Sequence, residues 1–141
     1  MKILLAVDGS KPSRDAVTSL VRRAEWFKER PSVHLLFVHL PVPKVGAFGG
    51  PSKNVLQRYY NEEGEICLAG ARDILDKSPI SYESSILVGP IAETICKEAV
   101  ARKCDLIWMG TRGMGSAAGL LLGSTATKVL HSAKVPVMLV K

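Results

Sequence analysis

Gly110, Gly113 and Gly123, with Ser124 and Thr125 directly behind the last, fall within residues 109–125, and Arg112 sits between the first two. The run follows an apolar segment and leads into a helical pattern. A glycine-rich turn lets a ligand approach the backbone closely, and the free N–H groups of a helix start attract anions such as phosphate. After Asp105 the chain carries no acidic residue, whereas Arg112, Lys128, Lys134 and Lys141 all follow. Nothing downstream would repel an anion there. Two familiar motifs come close without matching. Gly110-x4-Gly115 has the glycine spacing of a Walker A loop, but Ser116 stands where the phosphate-binding lysine is required. Gly113-x-Gly115-x-x-Ala118 resembles a dinucleotide fingerprint, yet it lies after the fourth apolar run, and no acid follows about 20 residues on to hold a ribose.

The elements that must position these residues can be read from hydrophobic periodicity. Residues 2–7, 33–40, 106–109 and 135–140 are nearly continuous apolar runs of strand length, as in parallel strands covered on both faces. Residues 80–88 alternate instead, which predicts a more exposed strand at a sheet edge. Helical stripes lie between them. Ala16, Val17, Leu20, Val21, Ala24 and Phe27 form the first, with Ser10 as N-cap and Pro12 in the first turn. Leu56, Tyr59, Tyr60, Ile66, Cys67 and Gly70 to Leu75 mark the second. Gly89-Pro90 opens the third, over Ile91, Ile95, Cys96, Ala99 and Val100, and Gly123-Ser124-Thr125 opens the fourth, over Ala126, Val129 and Leu130. The order β-α-β-α-β-α-β-α-β predicts an α/β fold: a doubly wound, five-stranded parallel sheet with helices on both faces. Three prolines and three glycines make residues 41–52 a flexible loop.

Composition narrows the classes. With 141 residues, the chain is expected to be one domain over 1–141. Hydrophobic content of 47% and charged content of 23% fit a globular core. The opening apolar run stops at Asp8 after five residues, too short for a secretory signal, and no segment is long enough to span a bilayer, so the expected location is cytoplasmic. Cys67, Cys96 and Cys104 have neither disulfide nor zinc spacing and read as reduced packing residues. The net charge of +6 is dispersed, which argues against nucleic acid. Simpler roles compete at single positions: Asp8 as a turn residue, Ser124 as a helix cap, Arg112 as a solvated charge. His39 reads as structural, His34 and His131 have no evident partner, and Trp26 and Trp108 read as core.

The pattern Gly110-x2-Gly113-x9-Gly123-Ser124 resembles the ATP-binding branch of the universal stress protein family, marked by G-2x-G-9x-G-[ST]. The likeness extends over the chain, through the opening Ile3-Leu4-Leu5-Ala6-Val7-Asp8-Gly9-Ser10, Val38-His39, Asp105 to Gly110, and the closing Val135 to Val140. It implies a Rossmann-like sheet of order 3-2-1-4-5 and an adenine nucleotide, ATP with Mg2+, as ligand. It implies Asp8 near the nucleoside, the backbone of Val38 reading adenine, Met109, Gly110, Arg112 and Gly113 as the ribose and phosphate loop, and Gly123, Ser124 and Thr125 as the phosphate-binding helix start. It further implies a homodimer paired through Val135 to Val140. The expected function is a nucleotide-dependent regulator or adaptor in stress response. The alternatives are a slow ATPase, or a protein phosphorylating itself on Ser124 or Thr125, and an interaction module that binds no nucleotide. A carboxylate to hold metal or orient water is hard to find: Asp105 precedes its strand, and Glu62, Glu63 and Glu65 lie beyond the flexible loop.

Overall fold

The computed structural model describes residues 1–43, 50–114 and 122–141. Its strands are β1 (Lys2–Ala6), β2 (Ser32–His39), β3 (Tyr82–Val88), β4 (Leu106–Gly110) and β5 (Val137–Val140). Its helices are α1 (Lys11–Arg22), α2 (Lys53–Asp76), α3 (Ile91–Ala101) and α4 (Ser124–Ser132), with a short 3-10 turn at Ala24–Trp26. All strand pairings are parallel, in the order β3-β2-β1-β4-β5. This is the sheet the sequence predicts, with β3 at an edge and visibly more exposed than β1 or β2.

Side-chain alternation sorts the central strands between two cores. Ile3, Leu5, Val33, Leu35 and Trp108 face Val17 and Leu20 of α1 and Leu68 and Leu75 of α2. Leu4, Ala6, Leu36, Ile107 and Met109 face Ile95 and Ala99 of α3 and Val129 of α4. A strand buried on both faces must be apolar at every position, which is why its sequence shows no period of two. Helix starts follow local chemistry. Ser10 caps α1 by accepting from the Ser13 N–H, with Pro12 in the first turn, and Ser52 caps α2 by accepting from Val55 N–H.

Several boundaries differ from expectation. β5 begins at Val137: Pro136 has no N–H for the ladder, though its carbonyl still accepts from Ile107 N–H at 2.9 Å. The helical stripe does not reach Phe27, because α1 ends at Arg22 and the chain tightens into the 3-10 turn. That turn removes Trp26 from the core-facing side and leaves it 70% exposed, with the Arg23 guanidinium 4.9 Å from its ring centroid. Trp108 is core as expected, its indole N–H donating to the Ala16 carbonyl at 2.9 Å. The loop expected at 41–52 lies partly outside the described residues. Among the described residues no helix is long and apolar enough to cross a membrane.

Candidate functional site

β1 and β4 are neighbours, but the helices that follow them leave on opposite faces, α1 on one and α4 on the other. Such a divergence opens a crevice beyond the carboxyl ends of the two strands. A cleft of about 510 Å3 occupies that place, and all nine residues singled out in the sequence line it: Asp8 after β1, Val38 in β2, Met109 and Gly110 at the end of β4, Arg112 and Gly113 beyond it, and Gly123, Ser124 and Thr125 at the start of α4.

Each wall follows from local geometry. After β1 the chain turns sharply at Gly9, whose φ of +79° is a left-handed conformation that favours glycine. The Asp8 carboxylate closes this turn, Oδ1 accepting from Ser10 N–H at 3.0 Å. Its Oδ2 accepts from Met114 N–H at 2.9 Å, joining the loop after β1 to the glycine loop after β4. Gly113 lies hard against that contact, since a Cβ there would stand 2.4 Å from Asp8 Oδ2. The glycine loop is closed at its other end by Gly123 N–H donating to the Thr111 carbonyl at 2.7 Å.

α4 therefore starts inside the cleft. Gly123 is its N-cap residue and Ser124 the first helical residue, so the reading of Ser124 as a cap is corrected. Among the described residues no side chain caps this helix, and no acid sits in its first turn. The amides of an uncapped first turn have no intrahelical acceptor, and with the helix dipole they favour an anion. The opposite wall is made by β2. Val7 N–H donates to the Leu36 carbonyl at 3.0 Å, the last bond between β1 and β2. Backbone groups two residues apart on a strand face the same side, so the N–H and C=O of Val38 face the space that β1 leaves. Ile91 and Ile95 of α3 add an apolar wall.

α2 contributes two residues that the sequence did not assign to the site, Glu63 and Cys67. Glu63 was only a carboxylate beyond a loop; of its neighbours, Glu65 is instead paired with Arg72. Four residues apart, Glu63 and Cys67 share one face of the helix. Sequence gives that much, but the rotation of α2 against the sheet decides which face meets the cleft. Burial, then the Glu63 and Asp8 carboxylates, push the Cys67 thiol upward from its ordinary pKa, so it is protonated at neutral pH and a poor nucleophile. His39 also lines the cleft; its Nδ1 lies 2.5 Å from the Leu40 carbonyl and its ring packs against Tyr59 and Tyr60, with centroids 5.4 and 4.9 Å away. Asp105 lies at the opposite end of the sheet, bonded to Lys2.

The expectation that His34 has no partner is overturned. It is 1% exposed, with Nε2 2.9 Å from Ser85 Oγ and 3.4 Å from Glu98 Oε1, and Nδ1 3.3 Å from Glu83 Oε1. Ser85 and Glu83 come from β3, brought alongside by β-pairing, and Glu98 from α3, which packs over this face of the sheet. The three cysteines are free thiols.

Comparison with known proteins agrees with this architecture. The model of the universal stress protein family matches residues 1–141. A universal stress protein of Thermus aquaticus is 36% identical over 140 residues, covering 99% of this chain and 97% of the relative. Among solved structures, the hypothetical protein MJ0577 superposes with a TM-score of 0.78 at 25% identity, covering 99% of this chain and 94% of that one. The universal stress protein of Archaeoglobus fulgidus, solved in complex with dAMP, gives a TM-score of 0.67 at 23% identity, covering 100% and 98%.

Proposed function

The chain belongs to the universal stress protein family, and from that premise we propose that it binds an adenine nucleotide, ATP with Mg2+, in the cleft between β1 and β4. One observation carries the reading: the uncapped start of α4, the glycine loop and the Val38 edge of β2 open onto a single cavity of about 510 Å3. That size is within the range of small-molecule sites. The adenine ring fits the β2 side, where one N–H and one C=O of Val38 match its acceptor and amino donor. The phosphates fit the amides at Ser124 and Thr125, with Arg112 as counter-charge; Gly123, its own N–H held by the Thr111 carbonyl, allows the ligand close to the backbone, and Met109 and Gly110 lie between the two ends. The dAMP bound by the Archaeoglobus fulgidus neighbour is consistent with an adenine ligand.

Among the described residues no group of three His, Cys, Asp or Glu side chains is placed to hold a metal ion. Mg2+ is therefore expected to ride on the phosphate oxygens of the nucleotide. Efficient hydrolysis would need a water positioned against the transferred phosphoryl group. Of the cleft carboxylates, Asp8 already accepts two backbone amides, and Glu63 stands on the α2 side with Cys67. We therefore read the protein as a nucleotide-dependent regulator in the cytoplasm that holds ATP far longer than it takes to turn it over. A second reading concerns assembly. β5 is a terminal strand with one edge unpaired among the described residues, and Met138 on it is 39% exposed, which favours a two-fold dimer through Val137–Val140.

Mass spectrometry of small molecules released from the purified protein tests the ligand: adenine nucleotide is expected. A steady-state ATPase assay tests the binder reading. Typical enzymes turn over about 10 times per second, and a rate orders of magnitude lower is expected. Turnover near about one per second, abolished by Ser124→Ala, would make the protein an enzyme instead.

A further inference from the structure

Asp8 lines the cleft, yet both of its carboxylate oxygens already meet backbone amides. Oδ1 accepts from Ser10 N–H at 3.0 Å and Oδ2 from Met114 N–H at 2.9 Å, the second bond spanning 106 residues of sequence. A Cβ at Gly113 would stand 2.4 Å from the same Oδ2, so the place a side chain would take is filled by the carboxylate. The loop that carries Asp8 is braced from behind. Gly9 packs against α2, where its Cβ position lies 3.1 Å from Cys67 Cα, and the Arg14 guanidinium donates to the Gly9 carbonyl.

We propose that Asp8 is a positioning residue: it clamps the Gly113–Met114 backbone into the shape that receives the phosphate end of the ligand, and it does not itself hold the nucleoside. The inference rests on the nucleotide reading above. A carboxylate facing a phosphate would repel it, whereas one whose two oxygens are each held by a backbone amide is aimed at the loop and serves as a strut. Charge-assisted bonds to backbone N–H groups are among the stronger ones available for such a strut.

Two experiments on the purified full chain test it. Amide exchange on the ligand-free protein, followed by NMR, should show Met114 N–H protected at least about tenfold, with protection lost in Asp8→Ala and largely recovered in Asp8→Asn, which keeps one acceptor oxygen. Calorimetry with AMP and with adenosine then separates the roles. Asp8→Ala should weaken AMP about tenfold while changing adenosine less than about threefold, since only AMP reaches the phosphate-facing loop. Gly113→Ala should weaken AMP at least about tenfold in the wild-type background and less than about threefold when Asp8 is already Ala, because the clash is then gone. The clamp is overturned if Met114 exchanges at the unprotected rate in the wild type, if Asp8→Ala weakens adenosine and AMP equally, or if the two penalties simply add. Wild-type protein that binds neither AMP nor adenosine overturns the nucleotide reading, and Met114 exchange still decides whether the strut exists. Thermal melts of each variant identify any that fails to fold, in which case Asp8→Asn carries the comparison.

Discussion

His34 sits in β2 beneath α3, where Glu83, Glu98, Arg102 and Ser85 converge on it and Lys2 pairs with Glu83. Its pKa is lowered from the ordinary value of 6.5, first by burial and then by the Arg102 charge, against the opposing pull of Glu98 and Glu83. The fold thus favours the neutral imidazole. Above pH 6.5 both folded and unfolded states are neutral and the group has no effect; as pH falls below 6.5 towards the depressed folded value, only the unfolded chain takes up the proton, and stability is lost. Urea midpoints should therefore fall between pH 7 and pH 5, and His34→Gln should flatten that part of the profile. A profile unchanged by the substitution would assign the loss to the carboxylates instead. Legibility at this scale divides by cause. The steric demand at Gly113 is written in residue type and spacing, so the glycine loop is readable. The surroundings of His34, the exposure of Trp26 and the presence of Cys67 in the cleft depend on partners that only the folded chain brings near.

Among the elements, α2 shows how closely helix and sheet approach. A Cβ at Gly64 would lie 2.5 to 2.7 Å from three atoms of the Ile86 side chain on β3. Ile86 is β-branched, and two of those atoms are fixed directly to its Cβ, so it yields little. Alanine at position 64 would gain about 1 kcal/mol of helix propensity and lose about 1–3 kcal/mol to overpacking. Gly64→Ala should thus lower unfolding stability by up to about 2 kcal/mol, and Ile86→Ala in the same chain should remove most of the additional penalty. A Gly64→Ala protein more stable than wild type would show that α2 can shift outward at low cost. Strand existence and the edge position of β3 were legible from the apolar runs and the alternation in 80–88. Element ends were not: tertiary contacts and the backbone chemistry of single residues such as Pro136 set them. The α2 register, which brings Glu63 and Cys67 to the cleft, is likewise fixed by packing and leaves no trace in spacing alone.

For the whole molecule, the alternation of strands and helices implies a parallel sheet, whereas its order 3-2-1-4-5, and with it the cleft's position, was legible only through the resemblance to the universal stress protein family. Assembly is the larger consequence. If β5 pairs across a two-fold axis, light scattering at micromolar concentration gives a dimer and Leu139→Pro, which removes an N–H on the edge facing away from β4, gives a monomer. A wild-type monomer, or a dimer indifferent to that substitution, would place the contact elsewhere or remove it. The central claim, an adenine site read by the β2 backbone, is tested most directly by calorimetry of nucleotide-free protein with ATP and with GTP. Guanine reverses the donor and acceptor that Val38 presents and would leave buried polar groups unpaired, at about 1–3 kcal/mol each. The account predicts one ATP per chain and GTP weaker by at least about tenfold; equal affinities, or no binding of ATP at all, would contradict it.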